Sequence, residues 1–561
     1  MKWYIRVFSI LVFFVIIIIE SNYLMAQVSE AWASRYNGPG SGIDKSNAIA
    51  VDSDGNVFVT GSSQFSGFGT EDFSTIKYDP SGTELWVNRY SATVSSYDIA
   101  HAIAIDKEGF IYVTGESNYD FLTIKYSSAG DTIWTQRYNG PKFGKDIPYA
   151  ITLDDTGNVY ITGESEGTTG THGIFEDYAT IKYSTDGAFK WVSRYNGPAG
   201  DYDRTNSIAL DEFGNVYVTG TSDGGSSGSG TPHFDYATIK YNNAGVFQWV
   251  RRYNGSANSS DEAKLLKIDI SGNIVVTGSS TNSGADDDYL TIKYTPAGDT
   301  LWISKYDGTG NNSDIANCVA LDDLGNTFVT GKSYGGSISD FDIITIKYDA
   351  FGDSVWVRRY NGEADDIDEG IGLAVDKTGN VFVAGYSSNV MTAFDYTTIK
   401  YIPDGTEDWT IKYTNSDFAG SSEEPTGMFV DTLSNIYITG MSALDYATVK
   451  YIQTPTSVGS TSPQIPDVFS LEQNYPNPFN PTTAINFSIP NEELVSLKVF
   501  NSLGEEVADL VNETKPAGNY HVEFIVGRSA AADSPDIASG IYFYKISAGS
   551  FTVTKKMILL K

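Results

Sequence analysis

The sequence predicts an all-β protein: an eight-bladed β-propeller of four-stranded blades over residues 30–452, followed by a small Ig-like β-sandwich. Three repeated segments predict the propeller. Thr-Ile-Lys-Tyr begins at Thr75, Thr123, Thr180, Thr238, Thr291, Thr345 and Thr398, and returns as Thr-Val-Lys-Tyr at Thr448. A Trp-x-x-(Arg/Lys)-Tyr segment begins at Trp32, Trp86, Trp134, Trp191, Trp249, Trp302, Trp356 and Trp409, at spacings of 54, 48, 57, 58, 53, 54 and 53 residues. A run close to Gly-Asn-Val-Tyr-Val-Thr-Gly ends at Gly61, Gly115, Gly163, Gly220, Gly278, Gly331, Gly385 and Gly440.

Each unit carries four short β-type runs, which in the first are Trp32–Tyr36, Ala48–Asp52, Val57–Gly61 and Phe73–Tyr78. All are rich in Val, Ile, Tyr, Phe and Thr and bounded by turn formers. Four strands per unit, repeated radially, make a propeller; a solenoid would need capping repeats, and none is visible. The order of the runs adds a closure. The chain opens with a Trp strand at Trp32 and ends its last unit at Tyr451 without one. Trp32–Tyr36 then supplies the fourth strand of the eighth blade, and the ring closes by pairing the two ends, leaving no long bare edge.

The units resemble the β-propeller repeat family of bacterial secreted proteins, on Ala48–Gly61, Asp72–Tyr78 and Gly82–Trp86 and their later copies. The resemblance covers roughly residues 30–452 and implies the fold rather than an activity, because propellers host unrelated functions. Such families are often described as seven-bladed; this chain counts eight.

Most repeated residues have structural work open to them. Asp52, Asp106, Asp154, Asp211, Asp269, Asp322, Asp376 and Asp431 stand three residues before a Gly, or before Ser434 in the last unit. Asp52-Ser-Asp-Gly-Asn56 starts like a calcium loop but lacks the later ligands; a hairpin turn capped by Asp explains it better. The repeated Trp, Tyr and Lys read as packing between sheets. Gly-x-Ser-x-Gly at Gly163, Gly220 and Gly331 matches a nucleophile elbow on paper. But Gly-x-Ser recurs in every unit, with no helix signal and no regular His, so no catalytic residue is assigned.

Strand alternation sorts the connections onto two faces. Short, constant turns fall on one. The connections of varying length fall on the other, where binding residues usually lie. That loop face carries two rings of carboxylates. One is Asp72, Asp120, Asp177, Asp235, Asp288, Asp342, Asp395 and Asp445; the other is Asp44, Asp98, Asp146, Asp203, Asp261, Asp314 and Asp368, with Glu423 in the eighth place. Capping a loop or pairing a neighbouring Lys or Arg is the structural role open to each. Cation binding, with calcium as the cofactor, is the functional one, and the clusters Asp286, Asp287, Asp288 and Asp365, Asp366, Asp368 are its candidate ligands.

Composition bounds the partners. Net charge is −33, from 37 basic against 70 acidic residues. Such a surface repels phosphate backbones and anionic lipid, which disfavours nucleic acid and membrane surfaces. The single cysteine, Cys318, and four scattered histidines exclude an internal disulfide and a Cys/His zinc cluster.

The N-terminus reads as a signal peptide over residues 1–26. Lys2 and Arg6 precede the apolar run Val7–Ile19, broken only by Ser9, and cleavage falls between Ala26 and Gln27. An uncleaved anchor is the alternative; with cleavage, no transmembrane span is expected in the mature chain.

After Tyr451 the period stops. Residues 453–468 are Thr/Ser/Pro-rich and read as a linker. Residues 469–561 carry β-type runs at Thr483–Ile489, Val495–Asn501, Gly518–Val526, Gly540–Ile546 and Thr552–Leu560. This segment resembles the C-terminal sorting domain of the type IX secretion system of Bacteroidetes and related phyla. The motif residues are Asn474, Tyr475, Pro476, Asn477, Pro478, Phe479 and Asn480, then Gly504 ending Leu497–Gly504, Gly518–Tyr520, Gly540 and Tyr542, and Lys555 and Lys556 opening the terminal run. The resemblance implies export, contact with the type IX machinery, removal of this domain, and a mature product released or fixed to the cell surface. The expected function is non-catalytic binding of an extracellular polysaccharide or protein on the loop face. The alternative is an enzyme acting on extracellular glycans through loop-face carboxylates.

Overall fold

The structure, a computed structural model, describes residues 26–40, 42–64, 71–93, 96–169, 174–225, 233–282, 284, 286–309, 312–336, 340–389, 394–415, 421–455, 469–471, 473–474, 477, 479, 481–526, 537–549 and 551–560. The expected signal peptide, apart from Ala26, lies outside them, as does most of the expected linker. The chain divides into two compact units, Met1–Pro455 and Thr456–Lys561. Among the described residues no helix is long and apolar enough to cross a membrane.

The first unit is all-β and propeller-like. Its described residues form eight four-stranded antiparallel sheets. The first sheet runs Asp44–Val51, Val57–Gln64, Glu71–Tyr78, Glu84–Tyr90, in that spatial order. The first strands of the next seven begin at Asp98, Asp146, Asp203, Asp261, Asp314, Asp368 and Glu423. These first strands touch one another in succession, and that of the eighth sheet touches that of the first, so they are the inner strands.

Burial follows from this stacking. In the first sheet Val57–Gln64 is buried at every position, because both of its faces meet neighbouring sheets. Apolar residues fill it on both faces, and where Thr occurs its hydroxyl finds a partner: Thr60 Oγ1 lies 2.9 Å from Thr75 Oγ1. The outer strand, one side of which faces solvent, is exposed or half-buried throughout. Each inner strand also carries a bulge, between Ser46 and Ala48 in the first sheet. The bulge presses backbone onto the repeated glycine of the next strand. A Cβ on Gly61 would stand 2.0 Å from the Lys45 carbonyl oxygen, which is why this position is Gly in all eight copies.

The Trp strands join sheets. Trp32 Nε1 donates to the Pro80 carbonyl at 3.1 Å and Trp302 Nε1 to the Ala350 carbonyl at 3.1 Å, each bridging to the third-to-fourth-strand turn of the next sheet. Trp409 would need that turn in the eighth sheet, where the chain instead leaves the unit. Its buried Nε1 has no partner among the described residues. The fourth strand there is Ala26–Tyr36, paired antiparallel with Asp445–Pro455 from Ala26 opposite Pro455 to Tyr36 opposite Tyr446. The strand that closes the sheet thus comes from the other end of the unit. It extends to Ala26 and Gln27, and its partner runs three residues into the stretch expected to be linker.

The described residues of the second unit form two sheets. One orders Ser470–Leu471, Thr482–Ile489, Gly518–Ile525; the other orders Glu506–Lys515, Glu493–Phe500, Gly540–Ala548, Phe551–Leu559. Ile485, Phe487, Leu497, Val499, Tyr544 and Ile546 belong to one apolar core.

Candidate functional site

The carboxylate rings sit at strand ends rather than in loops. Asp44 pairs in register with Ser63, and Ser63 with Asp72, so the first three strands present one polar row at the loop-face end of the first sheet. The outer strand completes it. Arg89 donates to Asp72 Oδ2 at 2.9 Å, to Ser63 Oγ at 2.5 Å, and to the Tyr36 hydroxyl of the preceding sheet at 3.1 Å. The Gly38 N–H donates to Asp44 Oδ2 at 2.7 Å. Equivalent ion pairs are Arg137–Asp120, Arg194–Asp177, Arg252–Asp235, Arg359–Asp342 and Arg35–Asp445. The serines of the Gly-x-Ser repeat are therefore structural.

Burying two carboxylates per seam against one arginine has an electrostatic consequence. Burial pushes Asp203 up to about 7, against the pull of the Gly197 N–H and Ser222 hydroxyl, and the Asp177 charge adds to the rise. Asp146 and Asp368 rise to about 6 for the same leading reason. The other repeated aspartates behave as turn caps. Asp52 Oδ1 accepts from the Asp54 and Asn56 N–H groups, and Gly55 takes φ of 81°.

The repeats differ at the residue between Gly and Ser: Ser62, Glu116, Glu164, Thr221, Ser279, Lys332, Tyr386 and Met441. Alternation turns this side chain away from the polar row. Its long polar members meet side chains of the inner strands. Glu164, fully buried, accepts from Lys145 Nζ at 2.8 Å and from Arg204 Nε at 2.6 Å. Lys332 Nζ reaches Glu369 at 2.8 Å, and the Tyr386 hydroxyl reaches the same carboxylate at 2.7 Å.

A cavity of about 250 Å³ opens beside Glu164, walled by Glu176, Tyr202, Arg204, Asn206 and Lys264 among others. Burial, then the Glu164 charge, raises the Glu176 carboxyl above its ordinary range, and its buried Oε2 has no hydrogen-bond partner among the described residues. Aromatic side chains line the same face. Tyr202 is exposed and meets Phe175 edge-on at 4.7 Å. Tyr97 and Tyr119 are exposed too, and Glu116 and Glu71 stand close enough to Tyr97 to add to the rise that burial gives its phenol. This arrangement offers stacking faces, fixed charges and a recess within the second to fifth sheets. Sequence reasoning missed it. Reading the eight units against one another, column by column, would have exposed the position that varies within a constant frame.

The predicted acidic clusters are not gathered. Asp286 stays in a turn, bonded through its backbone to Asn282, and Asp287 accepts from Thr281 Oγ1 at 2.7 Å. Asp365 and Asp366 are exposed, whereas Asp368 is buried in its row and accepts from the Gly362 N–H at 2.6 Å. Asp288 departs from its two neighbours: its carboxylate comes together with those of Asp307 and Asp314, all within 4.8 Å, a set that could hold a metal ion.

In the second unit the motif residues tie an N-terminal segment to the last two strands. The buried Asn474 donates its N–H to the Tyr544 hydroxyl at 2.8 Å; Asn477 Oδ1 accepts from the Ile558 N–H at 2.9 Å. Phe479 is buried and bridges to Leu559. Gly504 holds a turn at φ of 83°, Gly540 opens a strand, and the buried Tyr542 donates to the Ala538 carbonyl at 2.6 Å. Lys555 and Lys556 lie on the last strand, opposite Tyr544 and Phe543. Tyr475, Pro476, Pro478 and Asn480 lie outside the described residues.

Comparison with known proteins bears on both units. Residues 31–69, 86–121, 133–168, 190–226 and 355–390 match the family described as beta-propeller repeat. Residues 473–560 match the family described as secretion system C-terminal sorting domain. An uncharacterized WD repeat-containing protein of Acanthamoeba polyphaga mimivirus is 26% identical over 170 residues, which is 24% of this chain and 12% of that protein's length. Similar solved structures include a protein from Lactobacillus plantarum, 13% identical with a TM-score of 0.40, covering 64% of this chain and 95% of that one. The beta-propeller domain of the Trilobed protease from Pyrococcus furiosus is 7% identical with a TM-score of 0.38, covering 67% and 97%. Drosophila Plexin A in complex with Semaphorin 1b gives 10% identity and a TM-score of 0.37, covering 76% and 87%.

Proposed function

We propose, for a secreted or surface-attached chain that carries β-propeller repeats and the C-terminal sorting domain of the type IX system, a non-catalytic role in binding extracellular carbohydrate. On this reading the first unit is a closed eight-bladed propeller and the second an Ig-like sandwich that the type IX machinery reads. The eight sheets and the contact of the eighth with the first support the ring. One observation carries the binding site. The loop-face positions that repeat are consumed in the polar rows, while two of the varying ones, Glu164 and Thr221, line the recess with Tyr202 and Arg204. Aromatic faces beside hydrogen-bonding side chains suit a sugar, whose rings have apolar faces and polar edges.

A second reading, glycan hydrolysis, has one observation in its favour. Glu176 has a raised carboxyl beside the Glu164 carboxylate, in a recess. One experiment separates the two: screen the full chain against a polysaccharide panel for binding and for released reducing ends, with Glu176→Gln alongside. Binding without product, retained in Glu176→Gln, is the expected result. Product that disappears in Glu176→Gln would replace binding with hydrolysis.

A further inference from the structure

The eight seams between sheets serve as controls for one another, and one is unlike the rest. The outer-strand cation of the polar row is Arg35, Arg89, Arg137, Arg194, Arg252 and Arg359 in six copies; it is Lys305 in the fifth sheet and Lys412 in the seventh. Two residues later stand Asn37, Ser91, Asn139, Asn196, Asn254, Asn361 and Thr414, and Asp307 alone is acidic. Both departures therefore fall together at the seam of the fifth and sixth sheets.

Their consequence is a carboxylate group that no described cation pairs directly, the Lys305 charge acting on Asp288 only from a distance. Lys305 Nζ turns to Ser280 Oγ at 3.2 Å and lies 5.6 Å from the centre of the Tyr253 ring. Neither Lys305 nor any other described cation forms an ion pair with Asp288, Asp307 or Asp314. An Asn282 amide donates to Asp288 Oδ1 at 2.9 Å, so the ring carboxylate here has a neutral partner. Asp314 is fully buried. Its Oδ2 accepts from the Gly308 N–H at 2.6 Å, and its Oδ1 has no hydrogen bond of good geometry among the described residues, only the Ser333 hydroxyl nearby. The Oδ1 atoms of Asp44, Asp98, Asp146, Asp203, Asp261 and Asp368 lack one too; among the described residues only at Asp314 do two further carboxylates stand beside it. A buried anionic oxygen in that position needs a cation or a proton.

We propose that Asp288, Asp307 and Asp314 form a calcium site at the seam of the fifth and sixth sheets. The ligand oxygens all lie within 4.8 Å of one another. Calcium binds oxygen at roughly 2.3–2.6 Å, so two ligands of one ion can stand up to about 5 Å apart. Asp307 is exposed, which gives the ion a path in and leaves room for water to complete its shell. Bridging two sheets, the ion does there what arginine does at six other seams, and the inference stands independently of what the recess binds.

Calorimetric titration of the chelator-stripped full chain with CaCl2 tests this. Asp307→Asn installs the residue found at most other seams, and Lys305→Arg installs the usual cation, so both variants keep a row the fold already uses. The wild type is expected to take up one more calcium per chain than either variant, and to show a calcium-dependent rise in unfolding temperature that both lose. Equal stoichiometry in all three proteins overturns the site.

Discussion

Arg252 shows what a repeated residue does. Its guanidinium joins Asp235, Ser222 and, across the seam, the Tyr195 hydroxyl. Removing it leaves Asp235 buried without its ion-pair partner, a loss of about 3 kcal/mol on the scale of broken buried pairs. The same crowding predicts a pH dependence. Asp146, Asp203 and Asp368 have folded values near 6, 7 and 6, above their ordinary value of 3.8. Between those limits the folded chain holds more protons than the unfolded one, so stability falls as pH rises from about 4 to about 7. Unfolding temperature measured across that range should decline, and less steeply in Asp203→Asn; a rise with pH would contradict the assignment. The aspartate columns were legible in the sequence. Their use was not, because it depends on Ser63 and Arg89, which lie far from Asp44 in sequence and meet it only through strand register.

At the scale of elements, the repeat gave the strand cores but not their ends. Asp44 to Asn47 and Glu71 to Asp72 read as polar loop, yet they are strand, since the row they build satisfies their charges. Glu506–Lys515 was missed as a strand because it carries Glu506, Asp509, Glu513 and Lys515, the composition of an exposed edge rather than of a core strand. The closing strand was legible, from the offset between the first and last units. Its removal makes a direct prediction. Deleting residues 27–38 takes away Trp32 and the Arg35–Asp445 ion pair and bares Asp445–Pro455 along its length. The first unit should lose more than about 4 kcal/mol, read as one cooperative shift in denaturant unfolding. An unchanged midpoint would mean that the pairing of the two ends does not hold the sheets.

Over the whole molecule, duties divide by column. Positions constant through the eight units join strands and sheets at every seam; the residue between Gly and Ser varies, and joins sheets only where it is long and polar, as Glu164 does through Arg204 and Lys332 through Glu369. The side chain between Gly and Ser was the overlooked clue, since a resemblance to a catalytic motif drew attention to the serine beside it. The division is tested most directly by measuring unfolding and carbohydrate binding side by side in Tyr202→Ala and Arg252→Ala. Tyr202→Ala should unfold within about 1 kcal/mol of the wild type, as exposed substitutions do, and bind at least about tenfold more weakly. Arg252→Ala should lose about 3 kcal/mol and, below its unfolding transition, bind like the wild type. Unchanged binding in Tyr202→Ala, or no carbohydrate bound by the wild type at all, would contradict the account.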